Sequence, residues 1–132
     1  MKVFVYGTLK RGYGNNILLR GAEYLGEGVL NNHILYYSYG KGGFPVSRYN
    51  GKGRVLGEVY EIDPDKHLYS LDSLEGYSAE HDTGMYLRRE AEIVGTDGSR
   101  HNAHFYLGGP RWHFSTMYEC PIDEQGQSIW GR

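Results

Sequence analysis

Cysteine is almost missing from this chain, and with a single thiol, Cys120, no disulfide can form within it. Neither sign of charge dominates: 14 Lys and Arg stand against 16 Asp and Glu, for a net charge of -2. A balance of that kind supplies no basic field to gather phosphates or anionic lipid, so nucleic acid and membrane surfaces are excluded as expected partners. No run approaches the ~20 apolar residues that cross a bilayer. The start, Met1-Lys2-Val3, also lacks the apolar stretch of a signal peptide, and a cytoplasmic location is expected. Gly40-Lys41-Gly42-Gly43 has neither the spaced glycines nor the Lys-Ser or Lys-Thr ending of a phosphate loop, so these glycines are read as loop formers. His101 and His104 are three apart, a spacing that sends side chains to opposite faces of a strand, and no metal site is expected. Cys120 sits beside Pro121 with no partner histidine in frame and reads as an inert thiol.

What the chain does have is tyrosine and glycine, 13 and 20 of them among 132 residues. Tyrosine favours strands and glycine punctuates turns, which predicts a β-rich, turn-rich fold. The length suits one domain, 1–132, with a polar tail from about residue 108 that Trp112, Phe114 and Trp130 are available to pin down. Strand-like runs cover Lys2–Tyr6, Tyr24–Val29, Ile34–Tyr37, Arg54–Glu61, Tyr86–Val94 and Arg100–Leu107. Asp97-Gly98 between the last two predicts an antiparallel hairpin. From Tyr39 to Gly53, glycines and Pro45 interrupt the pattern, and a loop at a cleft rim is expected. One helix is signposted over Pro64–Leu74: Asp63 caps it, Leu68, Leu71 and Leu74 give it an apolar face, and Gly76 stops it. A shorter helix over Asn16–Arg20, capped by Asn15 or Asn16, is also expected.

Two places carry candidate chemistry. The run Val3-Phe4-Val5-Tyr6 breaks into Gly7-Thr8-Leu9, and a strand that stops at a glycine frees backbone N–H groups that can cradle a carboxylate or an oxyanion. An ordinary strand end with a turn fits the same pattern. Glu75 follows the last apolar position of the predicted helix, at the negative end of its dipole, where the protonated form is favoured. Drawn into a cleft, its carboxyl would rise toward the range useful to a general base; on the surface it would be a solvated helix-end acid. Asp72 is read as part of the solvated helix face.

Five segments in order bear on the choice: Phe4-Val5-Tyr6-Gly7-Thr8-Leu9-Lys10-Arg11-Gly12 with Asn15, Gly43-Phe44-Pro45-Val46, Val55-Leu56-Gly57-Glu58-Val59-Tyr60, Leu71-Asp72-Ser73-Leu74-Glu75-Gly76 and Met85-Tyr86-Leu87-Arg88-Arg89. Together, from about Val3 to Leu107, the chain resembles the gamma-glutamylcyclotransferase superfamily. Its first segment is most similar to the gamma-glutamylamine cyclotransferase and AIG2-like branch. The resemblance implies an α+β fold around a small mixed β-barrel with flanking helices. It also implies an enzyme in which Glu75 is the catalytic acid/base and Tyr6, Gly7, Thr8 and Leu9 hold the γ-glutamyl group, with Tyr86 and Tyr106 matching two site tyrosines. On the residues alone, those two tyrosines fit substrate binding, orientation of Glu75 or core packing equally.

The implied substrate is a small γ-glutamyl amine or amino acid whose own α-amine attacks the γ-carbonyl, releasing 5-oxoproline and the amine. No metal or cofactor is called for, and a monomer is the simpler expectation. The alternative is a non-catalytic module that binds a small molecule in the same pocket. Ser78–Gly84 forms an insert-like stretch between Glu75 and Tyr86, and together with Gly40–Asn50 it is expected to decide the leaving amine.

Overall fold

Val3 and Val5 alternate with Phe4, so a strand through them buries both faces if apolar layers lie on either side. The computed structural model, which describes residues 1–38 and 43–131, builds the molecule on that arrangement. Strand β1 (Lys2–Val5) pairs antiparallel with β3 (Val46–Glu61), with Phe4 opposite Val59, and parallel with β7 (Arg100–Gly108). β7 pairs with β6 (Tyr86–Gly95), β6 with β2 (Glu23–Tyr37), and β2 returns to β3, so five strands close into a barrel. Phe4, Leu30, Leu35, Val55, Val59, Ile93, Phe105 and Cys120 form one buried cluster, and burial pushes the Cys120 thiol up to about 12. Val3, Val5, Leu9, Leu19, Tyr60, Ile62, Leu71 and Tyr106 form a second, with Val3 and Val5 on the opposite side of β1 from Phe4. Gly57 is where β3 crosses β1: a Cβ there would lie 2.4 Å from the Val5 carbonyl oxygen and 2.6 Å from the Phe4 ring.

The expected hairpin joins β6 and β7, with Gly98 at φ +89° and the Ser99 N–H donating to Asp97 Oδ1 at 2.9 Å. Elsewhere the strands are longer than the sequence suggests. Tyr24–Val29 and Ile34–Tyr37 belong to one strand, β2, whose register against β3 shifts at Asn31 to His33 with Asn32 at φ +68°. The loop expected over Tyr39–Gly53 is largely strand: from Val46 onward the chain is β3, with Val46 opposite Tyr36 and Tyr49 opposite His33. Gly51 and Gly53 lie in a bulge, where Asn50 Oδ1 accepts from the N–H groups of Lys52 and Gly53, so the ladder resumes at Arg54. Residues 39–42, including Gly40-Lys41-Gly42, lie outside the described residues.

The predicted helix divides in two. Asp63 accepts from the Asp65 N–H at 3.1 Å and opens a wide turn over Pro64–Leu68, which continues as α1 (Tyr69–Glu75). Gly76, at φ +64°, ends α1 in the left-handed conformation. Leu71 is fully buried, but Leu74 is 40% exposed, so it does not extend the expected core face. Buried His67 serves that face instead: Nδ1 accepts from the Asp63 N–H, and Nε2 donates to the Arg20 carbonyl at 2.8 Å. The shorter helix is a 3₁₀ segment, Gly14–Leu19, without a side-chain cap.

After β7 the tail runs back along the barrel. Strand β8 (Tyr118–Glu119) pairs with β2, and Ser128, fully buried, accepts from the Leu35 N–H through Oγ and from the Leu56 N–H through its carbonyl. Trp112 Nε1 donates to the Met85 carbonyl at 2.8 Å and Trp130 Nε1 to that of Gly43 at 2.6 Å, while the Phe114 ring meets Tyr36. No helix among the described residues is long and apolar enough to cross a membrane.

Candidate active site

Where β1 runs out at Gly7, the chain turns: the Lys10 N–H donates to the Gly7 carbonyl at 3.0 Å, which leaves the N–H groups of Thr8 and Leu9, at the turn's centre, out of that bond. The turn is stapled by the segment that follows it. Asn15 Nδ2 donates to Thr8 Oγ1 at 2.9 Å, Asn16 Nδ2 to the Leu9 carbonyl at 2.7 Å, and the Arg11 N–H to Glu58 Oε1 at 2.9 Å. The two asparagines, expected as helix caps, therefore fix the loop. Pro45 presses on its first residue, since a Cβ at Gly7 would fall 2.7 Å from Pro45 Cγ. Replacing Asn16 by Ala removes a donor shared between the Leu9 carbonyl and the Tyr60 hydroxyl. We expect a loss of about 1 kcal/mol, measurable as a lower urea midpoint.

Glu75 occupies the last turn of α1, which holds no basic residue. Burial alone pushes its carboxyl up to about 7, and among the described residues no side chain hydrogen-bonds to it. The acid is thus half-buried at the cavity wall, and the loss of solvent around it raises its proton affinity into the neutral range.

Tyr6, Gly7, Thr8, Leu9, Glu75, Tyr86 and Tyr106, the seven residues singled out from sequence, all line one cavity of about 300 Å³. The tyrosine hydroxyls are already engaged. Tyr6 donates to the Tyr106 carbonyl, Tyr86 to the Pro45 carbonyl at 2.9 Å, and Tyr106 to Asp72 Oδ1 at 2.6 Å. Burial drives all three well above the usual phenol range, helped by the Glu75 charge and, at Tyr106, first by Asp72, so they stay neutral. Asp72 is accordingly not a solvated helix-face residue. It ties α1 to β7 through Tyr106 and faces Arg88 at 3.7 Å.

The cavity also takes side chains that sequence reasoning did not single out. Phe44, Pro45, Leu74 and Met85, which fall within the quoted segments, line it, and so does Trp112. Leu74 is exposed because it faces this space. Trp112 lies in a tail with no periodicity to mark it. Ser78–Gly84, expected to decide the leaving amine, is absent from the wall: Tyr77–Ser78 (β4) and Thr83–Gly84 (β5) pair as a small hairpin, held by Asp82 against Tyr77 and Arg89. His101 and His104 are likewise elsewhere, beside Lys2 and Glu90.

Known proteins resemble this chain in sequence and in fold. A family model described as gamma-glutamyl cyclotransferase, AIG2-like, matches residues 3–127, reaching past Leu107 into the tail. The gamma-glutamylcyclotransferase family protein YtfP of Escherichia coli is 37% identical over 82 residues, 61% of this chain and 67% of that one. A Pyrococcus horikoshii relative is 37% identical over 65 residues, and the match spans about half of its length, 52%. Among solved structures, an AIG2-like protein from Mus musculus superposes with a TM-score of 0.67 at 26% identity, covering 99% of this chain and 95% of that one.

Proposed function

The chain belongs to the AIG2-like gamma-glutamyl cyclotransferase family, and from that premise we propose that it cyclises small γ-glutamyl amides to 5-oxoproline, with Glu75 as the acid/base residue. The observation that carries this reading is the shared cavity, in which a carboxyl titrating near neutrality and the Gly7–Leu9 turn line the same walls. A γ-glutamyl amide brings its own nucleophile. Its α-nitrogen bonds to the γ-carbon and the bond from that carbon to the leaving nitrogen breaks, so the protein has to fold the substrate, move a proton and steady one oxyanion. Aligned intramolecular attack is worth ~7–11 kcal/mol of barrier in favourable cases, which makes a small constellation sufficient. Glu75 takes one proton from the α-ammonium and passes it to the leaving nitrogen; the second ammonium proton also ends on the released alkylamine. The N–H groups of Thr8 and Leu9 serve as donors to the oxyanion, in a turn whose staples spare it reorganisation.

The test is a panel of γ-glutamyl compounds read for 5-oxoproline and free amine by mass spectrometry. Release of both together supports the assignment. Tight binding with no 5-oxoproline from any compound would instead make the cavity a binding module. Because the base must be ionised, log kcat/KM should fall by about one for each pH unit below roughly 7. A profile flat from pH 5 to 8 would contradict a base of this kind.

A further inference from the structure

Among the described residues that line the cavity, Glu75 alone carries a formal charge. Away from the Gly7 turn the wall is apolar, formed by Phe44, Leu74, Met85 and Trp112. Phe44 is 51% and Leu74 40% exposed, so apolar surface stands open to solvent there. Trp112 Nε1 donates to the Met85 carbonyl, and its ring meets that of Tyr86 edge-on, with centroids 5.8 Å apart at 61°. Tyr86 and Glu75 line the same cavity, so the indole borders the space beside the acid through its contact with Tyr86.

We propose that the leaving amine is an apolar one, aromatic or branched aliphatic, with no carboxylate and no second cation, seated between Phe44, Met85 and Trp112. The proposal rests on the cyclotransferase reading and names its substrate class. A leaving group bearing a carboxylate would give up its hydration against this wall, where the described residues present no cation to meet it. Among the described lining residues a second ammonium would find Glu75 as its one anion, in competition with the α-amine. An apolar group gains about 25 cal/mol for each Å² of apolar surface removed from water, and the indole, held by its Nε1 bond to Met85, offers it an aromatic edge or face.

The experiment compares kcat/KM for γ-glutamyl phenethylamide and γ-glutamyl isopentylamide with that for γ-glutamyl alanine and ε-(γ-glutamyl)lysine, read as 5-oxoproline. At least about 10-fold preference for the apolar pair is expected. Phe44→Arg, at a half-exposed position, should reduce that preference by supplying a partner for the alanine carboxylate. Separately, binding of glutaric acid monophenethylamide is compared with that of glutaryl alanine; both lack the α-amine and cannot cyclise. Equal turnover of charged and apolar amides overturns the inference and leaves the cyclotransferase reading intact. No 5-oxoproline from any compound, with the monophenethylamide still bound at least 10-fold tighter, overturns the cyclotransferase reading and keeps the apolar seat. No turnover and equal binding overturn both.

Discussion

Glu75→Gln should lower turnover of a γ-glutamyl amide by roughly 10²- to 10⁴-fold, because it removes proton transfer while keeping the size and shape of the side chain. Parental rates of 5-oxoproline release in that variant would refute the assignment. The same substitution has an independent signature in stability. Glu75 is held at about 7 in the fold against 4.5 without it, so the folded state binds the proton more tightly. Its contribution is fully present below pH 4.5 and is lost as pH rises through 7, a change of about 3 kcal/mol. Glutamine does not titrate. Urea denaturation of parent and variant from pH 4 to pH 9 should therefore diverge, with the variant gaining on the parent as pH rises; parallel curves would mean that the carboxyl is solvated.

Leu71→Ala is expected to cost 2–5 kcal/mol, the range for emptying a fully buried leucine site. Leu71 packs in the cluster with Val3, Val5 and Tyr60, so it seats on the barrel the helix that carries Asp72, Leu74 and Glu75. Thermal denaturation should show a drop on the order of 10 °C. Leu74→Ala, three residues on, provides the contrast: its side chain borders the cavity, and its loss should raise KM while leaving the melting temperature within a few degrees. Similar losses of stability at the two positions would mean that Leu74 is core and the cavity wall is misassigned.

These two leucines show what could be read in the sequence. Helical spacing puts Leu68, Leu71 and Leu74 on one face, yet spacing does not say that the face ends at a cavity instead of a core. Caps and stops were legible because they are local: Asp63 bonds two residues ahead, and Gly76 meets its own helix. The barrel's long strands were not, since Asn50 to Gly53 carry the marks of a turn while tertiary pairing resumes beyond them. The candidate site was legible in its polar half, where Tyr6 to Leu9 and Glu75 form recognisable segments. Its apolar half was hidden because Met85 and Trp112 come from separate parts of the chain and are joined by one indole N–H. Asp72 was misjudged for a similar reason: its partner, Tyr106, lies on a distant strand.

The pairing of β1 with β3 and β7 bears on how the molecule forms. The β2–β3 and β6–β7 hairpins join neighbours in the chain, but β1 meets strands some 50 and 100 residues downstream. Such nonlocal pairing is slow because a large loop must close before any contact repays it. The Gly7 turn therefore acquires its final surroundings only when the earliest strand docks between two late ones. In refolding, competence to bind a γ-glutamyl compound should emerge with the slowest phase, well after most of the hairpin structure is in place.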